Sequence, residues 1–274
     1  MKKTAFLIAI LIFTGSAMAQ AGGVSVDQSK VLDRWTLRLG GYVTGLDTEL
    51  RLDSPTEGDG TTVSLEDDLG FSNSESIPRI NLGWILGKRH QISAGWYKTD
   101  RDSQTTLSFE LEWGDETFPI DTDIAGFYKT EFLALSYTYY FYSSEKTALG
   151  VTGGLVLATM SAGIGLDLLG QDIQVEEDLS TDVPVPQLGF SGSTYLGKGF
   201  VFTGGIGYIA FTLDDWEGNV GSAAVAFEHR TWKNFGFGGG YSYSGYDIDT
   251  NGADFLGNFQ YTISGFEIYG RAAW

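Results

Sequence analysis

Apolar and polar residues alternate with a period of two along most of the chain, and this pattern constrains the fold more than any other feature. The segment 79–84, Arg-Ile-Asn-Leu-Gly-Trp, is one example. Successive side chains of a β-strand point to opposite faces, so such a segment has one apolar and one polar face. The alternation recurs about ten times, and almost none of the chain has helical periodicity. The sequence therefore predicts an all-β fold of about ten strands.

The first 19 residues have the features of an export signal. Two lysines precede an apolar run at residues 5–13, and Ala-Met-Ala follows at 17–19. This order is typical of a secretory signal peptide, and the run is shorter than the roughly 20 residues of a membrane-spanning helix. We therefore predict a signal peptide at 1–19, a periplasmic tail at 20–32 and a β-barrel at 33–274.

The connections between the predicted strands alternate between short and long. Short turns lie near 87–89, 143–146, 197–198 and 231–234, and long polar segments lie at 46–76, 99–131, 162–183, 212–219 and 246–254. Most of the 35 acidic residues fall in the long segments, whereas basic residues mark the short turns. This asymmetry predicts a transmembrane antiparallel up-and-down β-barrel with short periplasmic turns and long extracellular loops. A secreted β-sandwich is the alternative, but it gives no reason for two ends of such different charge.

The last predicted strand, Gly265–Trp274, ends the chain on an aromatic residue. With the signal and the alternating strands, it resembles Gram-negative outer-membrane β-barrel proteins over essentially the whole mature chain. The resemblance implies an outer-membrane location, contact with its lipid and lipopolysaccharide, and recognition of Trp274 by the barrel assembly machinery. Tryptophan stands here where that class more commonly has phenylalanine. The resemblance implies no activity.

Four charged residues are predicted to line the lumen. Strand counting puts Arg38, Arg79, Glu131 and Glu267 at middle heights on the inward face. The first and last strands are neighbours in a closed barrel, so we expect Arg38 to meet Glu267. Unpaired buried charges are costly, so such pairs are expected whether or not a solute passes through.

The strand number and the inward glycine, serine and alanine residues suggest a function. Ten strands enclose a narrow bore, and small side chains leave room for water in it. The sequence therefore predicts a narrow pore for small solutes or ions. The alternative is a non-conducting structural or surface-binding barrel. In that case the acidic loops, especially 46–76, bind cations, lipopolysaccharide or a partner.

The sequence offers little for catalysis, cofactors or nucleic acid. Its two histidines, His90 and His229, flank short turns at the predicted periplasmic rim, far from an outer-face substrate. There is no cysteine, and the net charge of -18 disfavours binding to phosphates. We therefore expect no enzyme, no cofactor and no nucleic acid partner.

One acidic segment has the spacing of a calcium loop. Asp247, Asp249 and Asn251 place oxygen ligands at alternate positions, but the twelfth position is Asn258 rather than the glutamate that closes such a loop. Asn251 is followed by glycine, a pair that is also a strong hairpin signal. We therefore predict no defined metal site, and divalent cations at the loops stay an open alternative.

Overall fold

Ten antiparallel strands close into a barrel in the computed structural model. The structure describes residues 25–54, 58–113, 116–166, 174–213, 216–251 and 256–274. The strands are β1 (Trp35–Leu52), β2 (Ser74–Leu86), β3 (His90–Thr106), β4 (Asp123–Ser143), β5 (Thr147–Leu166), β6 (Gln174–Gly197), β7 (Phe200–Leu213), β8 (Trp216–His229), β9 (Phe235–Asn251) and β10 (Leu256–Ala273). Each pairs with the next, and β10 pairs with β1. The predicted fold class and strand number are confirmed, whereas the signal peptide lies outside the described residues.

An apolar band surrounds the lower half of the barrel, which is the half that ends in the short turns. Leu135 and Phe237 point outward from their strands and are 59% and 58% exposed. A continuous exposed apolar surface of this kind is unfavourable in water and favourable against lipid. The lower half therefore has the outer surface of a membrane-spanning barrel. No helix among the described residues is long and apolar enough to span a membrane.

The upper half has the opposite arrangement of apolar and polar side chains. In β1 the apolar residues change face at Gly45, so that Leu46 and Leu50 are buried inside while Asp47 and Glu49 point outward. The same change occurs in β10, where Tyr261 is buried inside. A polar outside and an apolar inside are typical of a water-soluble barrel. The strands therefore continue past the lipid band into the extracellular solvent.

This continuation corrects the predicted loop boundaries. Strands extend into all five predicted long segments, because their alternating pattern continues above the lipid band. They cover 46–52, 74–76, 99–106, 123–131, 162–166, 174–183, 212–213, 216–219 and 246–251. Two long connections remain at this end, at 53–73 and 107–122, and they include short strands at Val63–Ser64, Leu111–Trp113 and Glu116–Phe118. The connections 167–173, 214–215 and 252–255 lie outside the described residues.

The two long connections close the top of the barrel from inside. The first contributes Val63, Leu65 and Leu69 to the upper core, and the second contributes Leu111 and Trp113. All five side chains are at most 2% exposed. Burying a side chain of this size stabilises a fold by about 1.5–3 kcal/mol, so these loops are held firmly in the mouth of the barrel.

Candidate functional site

The lower half of the lumen contains a cavity of about 420 Å³. Its wall consists mostly of small and hydroxyl side chains, including Asn81, Ser93, Ser136, Thr138, Ser191, Ser193, Thr203 and Ser242. Arg38, Arg79 and Glu267 also line it, as the sequence predicted. We call this space the chamber. A polar space of this volume holds several water molecules.

A network of five charged groups lies beside the chamber. Glu228, 3% exposed, faces three arginines: its Oε2 is 3.2 Å from Arg38 Nη2, and its Oε1 is 3.0 Å from Arg271 Nε and 3.4 Å from Arg230 Nε. Asp33 pairs with Arg271 and lies 3.1 Å from Arg230 Nη2. We call this group the Glu228 network. It has three positive and two negative charges, so it carries a net positive charge.

The expected pairing of Arg38 with Glu267 is wrong, because Arg38 reaches across the lumen instead. Glu228 lies on β8, and β9 and β10 separate it from β1. At this level the inward residues of β9 are Gly236, Gly238 and Gly240, which have no side chains to fill the gap. The long arginine side chains therefore meet Glu228 across a glycine-lined surface.

Glu267 pairs with Arg79 instead, at 3.4 Å between Oε2 and Nη1. The Arg79 guanidinium also lies under two aromatic rings, 5.3 Å from the centroid of Tyr42 and 5.6 Å from that of Tyr97. Cations are attracted to aromatic ring faces at such distances. Arg79 therefore marks the roof of the chamber.

An aromatic layer separates the chamber from the upper core. It consists of Tyr42, Tyr97, Phe132, Tyr246 and Tyr261, which come from β1, β3, β4, β9 and β10. Phe132 is 2% exposed, and its ring centroid lies 4.7 Å from that of Tyr97 and 5.9 Å from those of Tyr246 and Tyr261. Above it, apolar side chains from the strands and the two loops fill the lumen.

Glu131 does not line the lumen, contrary to the sequence prediction. It alternates with buried Phe132 and shares the outward face of β4 with Leu133. Its Oε1 accepts a hydrogen bond of 2.6 Å from Trp96 Nε1 on the neighbouring strand. Side chains of a strand alternate strictly, so a residue next to an inward phenylalanine points outward.

The segment 25–34 covers the lower end of the chamber, and we call it the strap. It overlaps the predicted periplasmic tail at 20–32, and Val26, Val31 and Leu32 are buried against the inside of the barrel. Backbone and side chain of Lys30 both bond to Glu145 in a short turn, at 2.7 Å each. The hydrogen bond from Lys30 lowers the pKa of the Glu145 carboxyl below its ordinary value. With Asp33 in the Glu228 network, the strap is fixed at several points.

The upper half contains a buried ion pair that sequence analysis missed. Arg101 of β3 pairs with Glu66 of the first long loop, and the two side chains are 1% and 7% exposed. Arg101 Nη2 also donates to Thr48 Oγ1 at 2.9 Å, and Nη1 donates to the carbonyl oxygen of Ser72 at 3.2 Å. Both charged residues lie in segments predicted as loops, and nothing in their spacing indicates that they form a pair.

The remaining candidate residues lie at the two rims. His90 Nδ1 lies 2.6 Å from Tyr137 Oη, and both His90 and His229 are next to short turns. Trp274 is exposed and exchanges backbone hydrogen bonds with Trp35, while its role as an assembly signal stays a prediction.

Asp247 and Asp249 lie on the outward face of β9 rather than in a loop. Asn258 Nδ2 bonds to both carboxylates, at 3.3 and 2.9 Å. Among the described residues, no three acidic or histidine side chains are grouped to hold a metal ion.

Comparisons with known proteins bear on the fold. No protein-family model and no curated protein matches the chain. The outer-membrane protease OmpT from Escherichia coli is 11% identical, with a TM-score of 0.56 over 87% of this chain and 97% of OmpT. Neisserial surface protein A is 12% identical, with a TM-score of 0.32 over 87% and 97% of the two chains. OprG from Pseudomonas aeruginosa is 11% identical, with a TM-score of 0.33 over 90% and 97%.

At 11% identity the likeness to OmpT concerns the fold and not the activity. This chain forms a closed antiparallel barrel with an up-and-down strand order. The apolar outer band supplies the surface that such a barrel presents to lipid. The chain therefore has the fold of the Gram-negative outer-membrane β-barrel proteins.

Proposed function

We propose that the chain is a non-conducting outer-membrane barrel that acts as a structural or binding protein at the cell surface. The observation that supports this proposal most strongly is that apolar side chains fill the upper lumen, from the aromatic layer to the two inserted loops. A conducting path needs a continuous aqueous route with polar groups along it. The chamber supplies such a route through the lower half only.

The predicted narrow pore would require large movements in the upper half. The first loop would have to leave the lumen, which separates Glu66 from Arg101 and exposes Val63, Leu65 and Leu69. The aromatic layer would still cross the bore below it. A structural or surface-binding role requires neither movement, so the geometry favours this role.

The outer surface of the upper half favours a cationic partner. Outward positions there include Asp47, Glu49, Asp100, Asp102 and Asp249, all on strands. Lys98, Lys129 and Arg51 are the neighbouring bases; the two lysines lie within 4 Å of Asp100, and Arg51 lies 2.8 Å from Asp53. The surface potential is therefore negative, which attracts divalent cations or basic segments of other molecules.

Both histidines lie at the opposite rim, so we propose no histidine-dependent enzyme activity.

Planar-bilayer recording tests this proposal. We expect no channel steps at any voltage from purified, refolded protein, because the aromatic layer and the upper core exclude water from the bore. Insertion is checked in vesicles of the same lipid by protease protection of the lower half, and a known porin serves as the positive control in the bilayer. Steps that scale with the amount of folded protein would contradict the proposal.

A further inference from the structure

The hydrogen-bond ladder between β6 and β7 ends well below the top of both strands. Its last pair is Gly189 with Gly207. Above it, residues 183–188 and 208–213 form no ladder pairs with each other, although all twelve lie within the described part of the chain. At the same levels β6 stays paired with β5, and β7 stays paired with β8. We call these two six-residue edges the β6–β7 seam.

The two edges of the seam differ in their hydrogen-bonding capacity. The β6 edge contains Pro184 and Pro186, and its ladder to β5 continues through both. Proline has no N–H, so it is tolerated in a sheet where the strand edge is unpaired. The β7 edge, Tyr208–Leu213, has no proline and keeps every backbone donor. The β7 edge is therefore the one on which another strand can pair.

A second unpaired stretch, between β2 and β3, shows how this barrel protects an edge. Its ladder ends at Arg79 and Tyr97, and the residues above it include Pro78, Lys98 and Asp102. The first long loop also lies against it, through the bond from Arg101 to Ser72. Charges, prolines and covering loops are the usual means of preventing unwanted strand pairing.

The β7 edge lacks all three kinds of protection among the residues described. Its sequence, Tyr-Ile-Ala-Phe-Thr-Leu, is uncharged and rich in residues that favour strands. Six-residue segments of this composition pair readily with other strands when they are exposed. Within an acidic outer half, an uncharged edge of this length is available for pairing.

The surroundings of the seam indicate the kind of strand that fits. Ile209 and Phe211 point inward and are half-buried against the upper core, whereas Tyr208 and Ala210 are exposed on the outside. A partner strand would alternate in the same way. Asp182 directly precedes the β6 edge, and Glu217 pairs with Thr212 beside the β7 edge, so basic residues at the ends of the partner would be attracted.

We propose that the β7 edge binds an extended segment of another polypeptide by strand addition, with an uncharged strand-forming centre and basic ends. This inference rests on the proposed surface-binding function and names the partner chemistry. A second copy of the chain fits less well, because its β7 runs in the same direction across the same membrane. Edge pairing between two such copies would be parallel, whereas a free segment can form the more stable antiparallel ladder.

Hydrogen exchange on the folded barrel in lipid nanodiscs tests the proposal. The probe is a synthetic peptide of about ten residues, with alternating valine and threonine between lysine pairs. The control peptide has the same sequence with N-methyl groups on its central residues. Without peptide, the amides of 209–213 that face the seam should exchange about tenfold or more faster than those of 202–207. The probe peptide should slow the exchange of these seam-facing amides, and the methylated peptide should leave their exchange rates unchanged.

Two lysine variants separate strand addition from general attraction to acidic groups. Ala210→Lys adds a charge to the β7 edge, and we expect it to weaken binding of the probe about tenfold. Thr262→Lys adds the same charge to an outward position on β10, which is paired with both neighbouring strands. The affinity of this variant for the probe should stay within about twofold of that of the original protein. Equal losses in both variants would overturn the inference.

Two other outcomes would also overturn it while leaving the non-conducting barrel intact. Slow exchange of 209–213 in the free protein, with the protein monomeric by native mass spectrometry, would mean that the seam is closed. Slow exchange in a dimer would mean that a second copy occupies it. Channel steps in the bilayer experiment would instead contradict the proposed function itself.

Discussion

Replacing Arg101 with methionine is expected to destabilise the folded barrel by about 3–5 kcal/mol, because the Glu66 carboxylate would remain buried without its cation. The two side chains are almost fully buried, and Glu66 also accepts hydrogen bonds from Thr48 N at 2.8 Å and Thr48 Oγ1 at 3.0 Å. Three hydrogen-bond donors therefore hold the Glu66 carboxylate in place, and only Arg101 is a cation. Urea unfolding in lipid vesicles measures the free energy change.

A double variant and a surface control make this prediction specific. Arg101→Met combined with Glu66→Gln should recover most of the loss, since no unpaired charge remains. Asp100→Asn breaks the exposed pair with Lys129, 3.3 Å apart, and should cost at most about 1 kcal/mol. A loss under about 1 kcal/mol for Arg101→Met would show that the loop is not held by this pair.

Glu228→Gln is expected to have an effect of similar size in the lower half. The substitution keeps the shape of the side chain but leaves Arg230 and Arg271 with Asp33 as their acidic partner and Arg38 with none in the network. Removing the charge of a nearly buried group with three cationic neighbours should cost about 3–5 kcal/mol in unfolding free energy.

Glu267→Gln is the matched control, because it removes the same charge from a residue that lines the neighbouring chamber. Glu267 is about one-fifth exposed and has a single pair, with Arg79 at 3.4 Å. Losing this ion pair should lower the free energy of unfolding by about 1 kcal/mol. Equal losses for the two variants would contradict the central position of Glu228 in the network.

The fold class followed from the period of the sequence, whereas the function of the lumen did not. A period of two with tight turns at one end specifies an up-and-down barrel, and ten such segments were visible. The predicted strand ends are wrong because acidic segments with a polar outer face resemble loops in sequence. The alternation in fact continues past Gly45, but the apolar residues Leu46, Leu50 and Leu52 point into the barrel rather than towards lipid.

That change of face was a usable signal. A strand whose apolar residues move to the other face without a bulge passes from lipid, where they point outward, into water, where they point inward. The same rule would have placed Glu131 outside, since it shares the face of Leu133. The partner of Arg38 was beyond sequence reasoning, because contacts across a lumen depend on strand stagger and on which inward residues are small.

Access of a water-soluble thiol reagent to the chamber tests most directly whether the upper lumen is closed. The chain has no cysteine, so Ser136→Cys places a single thiol in the chamber wall, and Asn251→Cys places one on the exposed upper end of β9. In intact cells, a membrane-impermeant maleimide should modify the cysteine at 251 and leave the one at 136 unmodified. In opened cells with the strap removed, position 136 should react. Modification of position 136 from outside intact cells at the rate of position 251 would contradict the closed barrel.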